Sequence, residues 1–146
     1  MKRLLTLATV LLMISVTASG QSTDVEATRV MAEQGDAYAQ VYLGMIYDQG
    51  KGVPEDNAEA FKWYKRASDQ GLPSAQYSMA TLFAKGSGVA RDDFAAYVWY
   101  AVAAVQSQDG AAQARDEIAI SLSAEQLEAG QKLVKRCIES GYKDCS

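Results

Sequence analysis

Ser140-Gly141-Tyr142-Lys143 matches Ser-x-x-Lys, the spacing in which a serine hydroxyl attacks a lactam ring with a lysine beside it. That nucleophile belongs at a helix start within a pocket. Here it falls in a terminal stretch between Cys137 and Cys145, and no Ser-Asp-Asn or Lys-Thr-Gly follows. Gly86-Ser87-Gly88 has the outline of a serine elbow, and Asp92-Asp93 sets two carboxylates together as acid–base chemistry requires. The elbow has no imidazole to work with, because the 146 residues include no histidine, and Asp92-Asp93 fall at a helix start, where they read more simply as a cap. Every Ser-His, Cys-His and His-metal arrangement is thereby excluded. Two cysteines cannot build a structural zinc site alone. No phosphate-cradling glycine loop and no calcium-loop spacing is present. The expectation is a protein that is not an enzyme and holds no cofactor and no metal; a β-lactamase-like hydrolase is the remote alternative.

The elements that carry these residues follow from composition and pattern. Hydrophobic residues make up 49% of the chain and charged residues 22%, enough apolar surface for a folded core. The formal charge is −4, so nucleic acid is a poor partner. Met1-Lys2-Arg3 is followed by the apolar run Leu4–Val16 and then by the small residues Thr17, Ala18, Ser19 and Gly20. A charged start, an apolar middle and a small-residue exit describe a secretory signal peptide over 1–20. Cleavage after Ala18 fits best, with Gly20 as the alternative. The run is shorter than the roughly 20 residues of a membrane span, so no membrane insertion is expected after cleavage. Loss of Lys2 and Arg3 leaves 12 bases against 18 acids. Export places the protein in the periplasm or outside the cell.

In an oxidising compartment a lone cysteine pair reads as a disulfide, here Cys137–Cys145, tying the tail to the last helix. The spacing is not Cys-x-x-Cys and no strand pattern precedes it, which argues against a redox-active pair.

A period of 36 organises the rest. Gly35, Ala39, Gln40, Gly50, Gly52, Val53, Asp56, Ala60, Trp63, Tyr64, Ala67 and Gln70 recur as Gly71, Ala75, Gln76, Gly86, Gly88, Val89, Asp92, Ala96, Trp99, Tyr100, Ala103 and Gln106. These are 12 identities in 36 positions, where ordinary residue frequencies give about 2–3. Each unit reads as two helices. The first spans 36–49 and stops at Gly50; Asp56 caps the second, whose Ala60, Trp63, Tyr64 and Ala67 form one buried face. Gly86-Ser87-Gly88 is the counterpart of Gly50-Lys51-Gly52, so the serine elbow is a repeat turn. Most acids, including Asp24, Glu26, Glu55, Asp56, Asp92 and Asp93, are expected at helix starts, where carboxylates suit the dipole. The expected organisation is a capping helix over 24–34, repeats over 35–70 and 71–106, and a half-repeat with a capping helix over 107–146. The last helix opens on the capping box Ser123-Ala124-Glu125-Gln126.

The pattern Gly35-Asp36, Ala39-Gln40, Leu43-Gly44, Tyr47, Gly50-x-Gly52-Val53-Pro54, Asp56, Ala60, Trp63-Tyr64, Ala67 and Gly71 resembles the Sel-one-like repeat, a 36-residue relative of the tetratricopeptide repeat. Gly86, Gly88 and Trp99 continue it in the second unit, which departs from the family preference at Ala80, Ala90 and Ser107. The resemblance implies an all-α, right-handed α-α solenoid that binds proteins, often in the bacterial envelope, and carries no catalytic residues across. It also implies two roles for a small exported member. One is a periplasmic scaffold or regulator that docks an envelope sensor or secretion component in its concave face. The alternative is an immunity protein that neutralises a lipase effector of type VI secretion.

Helical angles locate the face. Ala39, Leu43 and Tyr47 share the packed stripe of the first helix, while Tyr38, Tyr42 and Met45 point nearly opposite. Tyrosine and methionine there suit an interface rather than solvent alone. Tyr38, Tyr42 and Met45 are the expected partner contacts, extended into the second unit by Tyr77, Ser78 and Thr81. The competing expectation is that the helix at 24–34 folds over these side chains.

Overall fold

The computed structural model describes residues 17–146, with side chains from 24 onward. The charged and apolar parts of the expected signal peptide lie outside the described residues. Among the described residues seven helices follow in order: α1 (Thr17–Glu33), α2 (Ala37–Gln49), α3 (Asn57–Asp69), α4 (Pro73–Lys85), α5 (Asp93–Val105), α6 (Ala111–Ala119) and α7 (Ala124–Glu139). Successive helices from α1 to α6 pack on one another as an α-α solenoid.

The helix boundaries are set locally. Asp36, Asp56 and Asp92 accept from the backbone N–H groups of Ala39, Glu59 and Ala95, at 2.7, 2.9 and 2.9 Å. The helix α4 lacks such a cap: Leu72 stands at its N-cap and Pro73 begins it, the position where a missing N–H costs nothing. Gly50 and Gly86 end α2 and α4 in the left-handed conformation, at φ 61° and 67°. Ser123 and Gln126 close the capping box in both directions.

Two expectations change. Helix α1 begins at Thr17 rather than Asp24, so Asp24 and Glu26 sit within the helix and not at its start. The third first-type helix begins at Ala111, behind Gly110, and not at Asp109.

Two clusters make the core. Val25, Ala32, Ala39, Leu43, Ile46 and Trp63 form the first, where α1 covers α2 and α3. The second runs through α4 and α5, from Tyr64, Met79 and Leu82 to Val98, Trp99 and Val102, and reaches Cys137 and Cys145. Gly44 marks a close approach of α2 to α3: a Cβ there would stand 2.6 Å from the Tyr64 ring. The second repeat has Ala80 in its place. Helix α7 packs on α5, not as a hairpin with α6. The Cys137–Cys145 bridge, with Cα atoms 4.4 Å apart, turns the tail back, and the Tyr142 ring seats on Gly71 at the junction of the two repeats.

Candidate protein-docking face

Helix α1 decides which face of α2 stays open. Its Val25 and Ala32 lie against Ala39, Leu43 and Ile46, which are buried. The opposite stripe is left uncovered: Tyr38 is 76% exposed, Tyr42 56% and Met45 37%. The capping helix therefore does not fold over these three side chains. Tyr42 borders a recess shared with Asp24 and Val25 of α1 and with Lys51 of the following turn. Tyr47 is half-buried at the edge of the packed stripe, where Arg29 of α1 donates to its hydroxyl and lies 5.7 Å from the ring centre. That hydrogen bond holds the Arg29 pKa above its usual value.

One period on, the same stripe of α4 is different. Tyr77, Ser78 and Thr81 are half-buried. The Tyr77 ring lies 5.3 Å from that of Tyr100, and the Thr81 hydroxyl is 3.0 Å from the Tyr100 hydroxyl. Burial raises the Tyr100 pKa, and the Thr81 hydrogen bond opposes that rise. Burial pushes the Tyr64 pKa up, and Ser78 opposes that rise. These three residues line a cleft of about 400 Å³ with Asp48, Glu55 and Lys85. The six expected contact residues thus divide into an exposed group of two tyrosines and a methionine on α2 and a recessed group on α4.

The residues with catalytic outlines have other occupations. The Ser140 hydroxyl donates to the Cys137 carbonyl at 2.9 Å and accepts from the Asp144 N–H at 3.0 Å, so it serves as a C-terminal cap for α7. Asp92 caps α5. Asp93 accepts from Arg91 at 2.8 Å and from Ser121 at 2.8 Å, and the two, Arg91 foremost, hold its pKa below the usual carboxylate range. Among the described residues no helix is long and apolar enough to cross a membrane.

The sequence pattern did not flag Gln40 and Gln76 as more than repeat identities. Both are buried, and each accepts from the glutamine that ends the second helix of its own repeat, Gln70 and Gln106. The signal was present, since a polar residue recurring at 36 beside a buried alanine has to find a partner.

A Sel1 repeat model matches residues 37–72 and 73–106. A Sel1 repeat protein from Oxalobacter formigenes has 38% identity, with a TM-score of 0.63, over 66% of this chain and 72% of that one. The chain belongs to the Sel1 repeat family. A protective antigen present in uropathogenic Escherichia coli strains, displaying an SLR fold, is similar at 32% identity and a TM-score of 0.76 over 81% of this chain. The Sel1 repeat protein described here spans only about a quarter, 26%, of that antigen's length. No curated protein matches it. Sel1 repeats generally mediate protein–protein interaction, and the family consists in general of non-enzymatic binding scaffolds. The Sel1 fold accordingly makes this chain a helical interaction scaffold.

Proposed function

We propose that this Sel1 repeat protein is an exported module that docks one protein partner on the face presented by α2 and α4. The observation that carries the reading is the exposure of Tyr38, Tyr42 and Met45 beside a fully covered stripe of the same helix. Aromatic and methionine side chains of this kind supply contact area at low entropic cost and recur at interface hot spots. The charged, apolar and small-residue pattern of 1–20 supports a periplasmic location, and so does the Cys137–Cys145 pairing. The role that fits is a scaffold or regulator of an envelope assembly. An immunity protein against a secreted lipase would use the same face.

The test is capture from a bacterial periplasm with the mature chain, with Tyr42→Ala in parallel. One dominant partner, bound about 1–3 kcal/mol more weakly by the variant, is the expected result. The partner's identity then chooses between regulator and antagonist. A partner held equally by both proteins would move the docking site elsewhere.

A further inference from the structure

Equivalent positions of α2 and α4 differ in chemistry. Tyr38, Tyr42 and Met45 correspond, one period on, to Ser74, Ser78 and Thr81. The face therefore passes from large aromatic and thioether side chains to small hydroxyl side chains between the repeats, and the cleft of about 400 Å³ opens at that boundary. Two carboxylates stand on its wall, Asp48 and Glu55. Neither pairs with a lysine or arginine among the described residues, whereas Glu59, Asp69, Glu128 and Asp144 each do. Lys85 is the single cation against them on that wall. The Asp48 carboxylate also helps burial to raise the Tyr64 pKa, so a neutral phenol lies beside it.

The wall is thus rich in acceptors and carries a surplus of negative charge, within a chain that is itself acidic. A guanidinium or ammonium group entering it finds carboxylate and hydroxyl oxygens, while an anion finds repulsion. We infer that the cleft is a subsite for a lysine or arginine side chain of the protein partner, and that apolar side chains near it in the partner lie on Tyr38, Tyr42 and Met45. Packed helices lie about 8–10 Å apart. An extended segment covers that distance in about three residues. The partner segment then places its basic residue about three positions from an aromatic or aliphatic one. This inference rests on the docking-face reading and adds the partner's chemistry to it.

The experiment is selection of a random-peptide display library on the full chain, followed by fluorescence anisotropy of the enriched peptides. The proteins compared are wild type, Tyr42→Ala, the double variant Asp48→Asn/Glu55→Gln, and Glu128→Gln as a remote charge control, each checked for helicity. Expected is enrichment of a basic residue about three positions from an apolar one. Binding should be about tenfold weaker in the double variant, unchanged in the control, and weakened by added salt. Apolar peptides enriched without a basic residue, or binding indifferent to the double variant and to salt, overturn the cation subsite and leave the docking face standing. Peptides that bind Tyr42→Ala as well as wild type overturn the docking face itself. A library with no enriched peptide overturns both.

Discussion

The side-chain amide of Gln106 donates to the Gln76 side-chain carbonyl at 2.7 Å, joining the end of α5 to α4 within the second repeat. One period earlier Gln70 donates to Gln40 at 2.8 Å. Gln40 in turn donates to the Ala32 carbonyl at 3.0 Å, and Gln76 to the Ser68 carbonyl at 3.5 Å. The buried glutamine of each first helix so links the helix before it to the helix after it. A buried amide left unpaired costs about 1–3 kcal/mol, which makes these links specific as well as favourable. Replacing Gln76 with alanine should destabilise the fold by about that much in urea unfolding. A double-mutant cycle with Gln106→Ala should return about 1 kcal/mol of coupling. Additive effects would show that the amide pair contributes nothing.

Trp63 and Gly44 test the core from opposite directions. Trp63 is 4% exposed within the cluster that joins α1 to α2 and α3. Trp63→Ala should cost about 3–5 kcal/mol. A thermal shift of only a few degrees would place Trp63 outside the core.

Gly44→Ala has two competing effects of opposite sign. Helix propensity alone favours alanine by about 1 kcal/mol. The Tyr64 ring 2.6 Å from the new Cβ forces a shift, and overpacking of this kind costs about 1–3 kcal/mol. The ring belongs to a buried side chain with little room to move, so sterics should win and the variant should be less stable by denaturant melt. A stabilised variant would mean that Tyr64 yields easily.

The tail bridge should be worth about 2–3 kcal/mol by loop entropy. Cys137→Ser/Cys145→Ser should lower stability by this amount and free Tyr142 from Gly71. Trypsin then gains access at Lys143, which is read as loss of the last residues by mass spectrometry before the helices are cut. Equal cleavage of the bridged and unbridged proteins would show that the tail is held by other contacts.

Asp93 gives a pH signature. Hydrogen bonds from Arg91 and Ser121 lower its folded pKa, so its contribution is present above the ordinary carboxylate pKa and fades as the pH falls through the lowered value. Asp93→Asn should be slightly less stable than wild type at neutral pH, with the gap closing in acid below the ordinary carboxylate range. The pair is exposed on the arginine side, so the effect should be small. A gap that persists unchanged in acid would assign the effect to something other than the charge.

Much of the architecture was legible in the residues because it depends on neighbours along the chain. A cap such as Asp56 reaches three residues on, and a glycine stop such as Gly50 acts within one turn, so both are visible in any window of that size. The 36-residue period showed the repeat for the same reason, since each unit repeats the same local choices. The start of α1 is not legible in the residues, because a stretch of small residues that reads as a processing site is also compatible with a helix.

Which side of α2 the first helix would cover was another matter. Tyr42 and Leu43 are adjacent residues, and helical angles place them on different sides without saying where α1 will lie. Only the packing of Val25 and Ala32 onto the Leu43 side leaves Tyr42 open. The seat of Tyr142 on Gly71 and the lodging of α7 on α5 belong to the same class. Each joins segments distant in the chain, and each depends on how close the repeats come when stacked. The residues alone determined the helices, their caps and their repeat. Tertiary packing decided which tyrosines stay in solvent, which glutamines find one another, and where an acidic cleft opens between two repeats, because those outcomes are set by helix-to-helix approach and not by local hydrogen bonding.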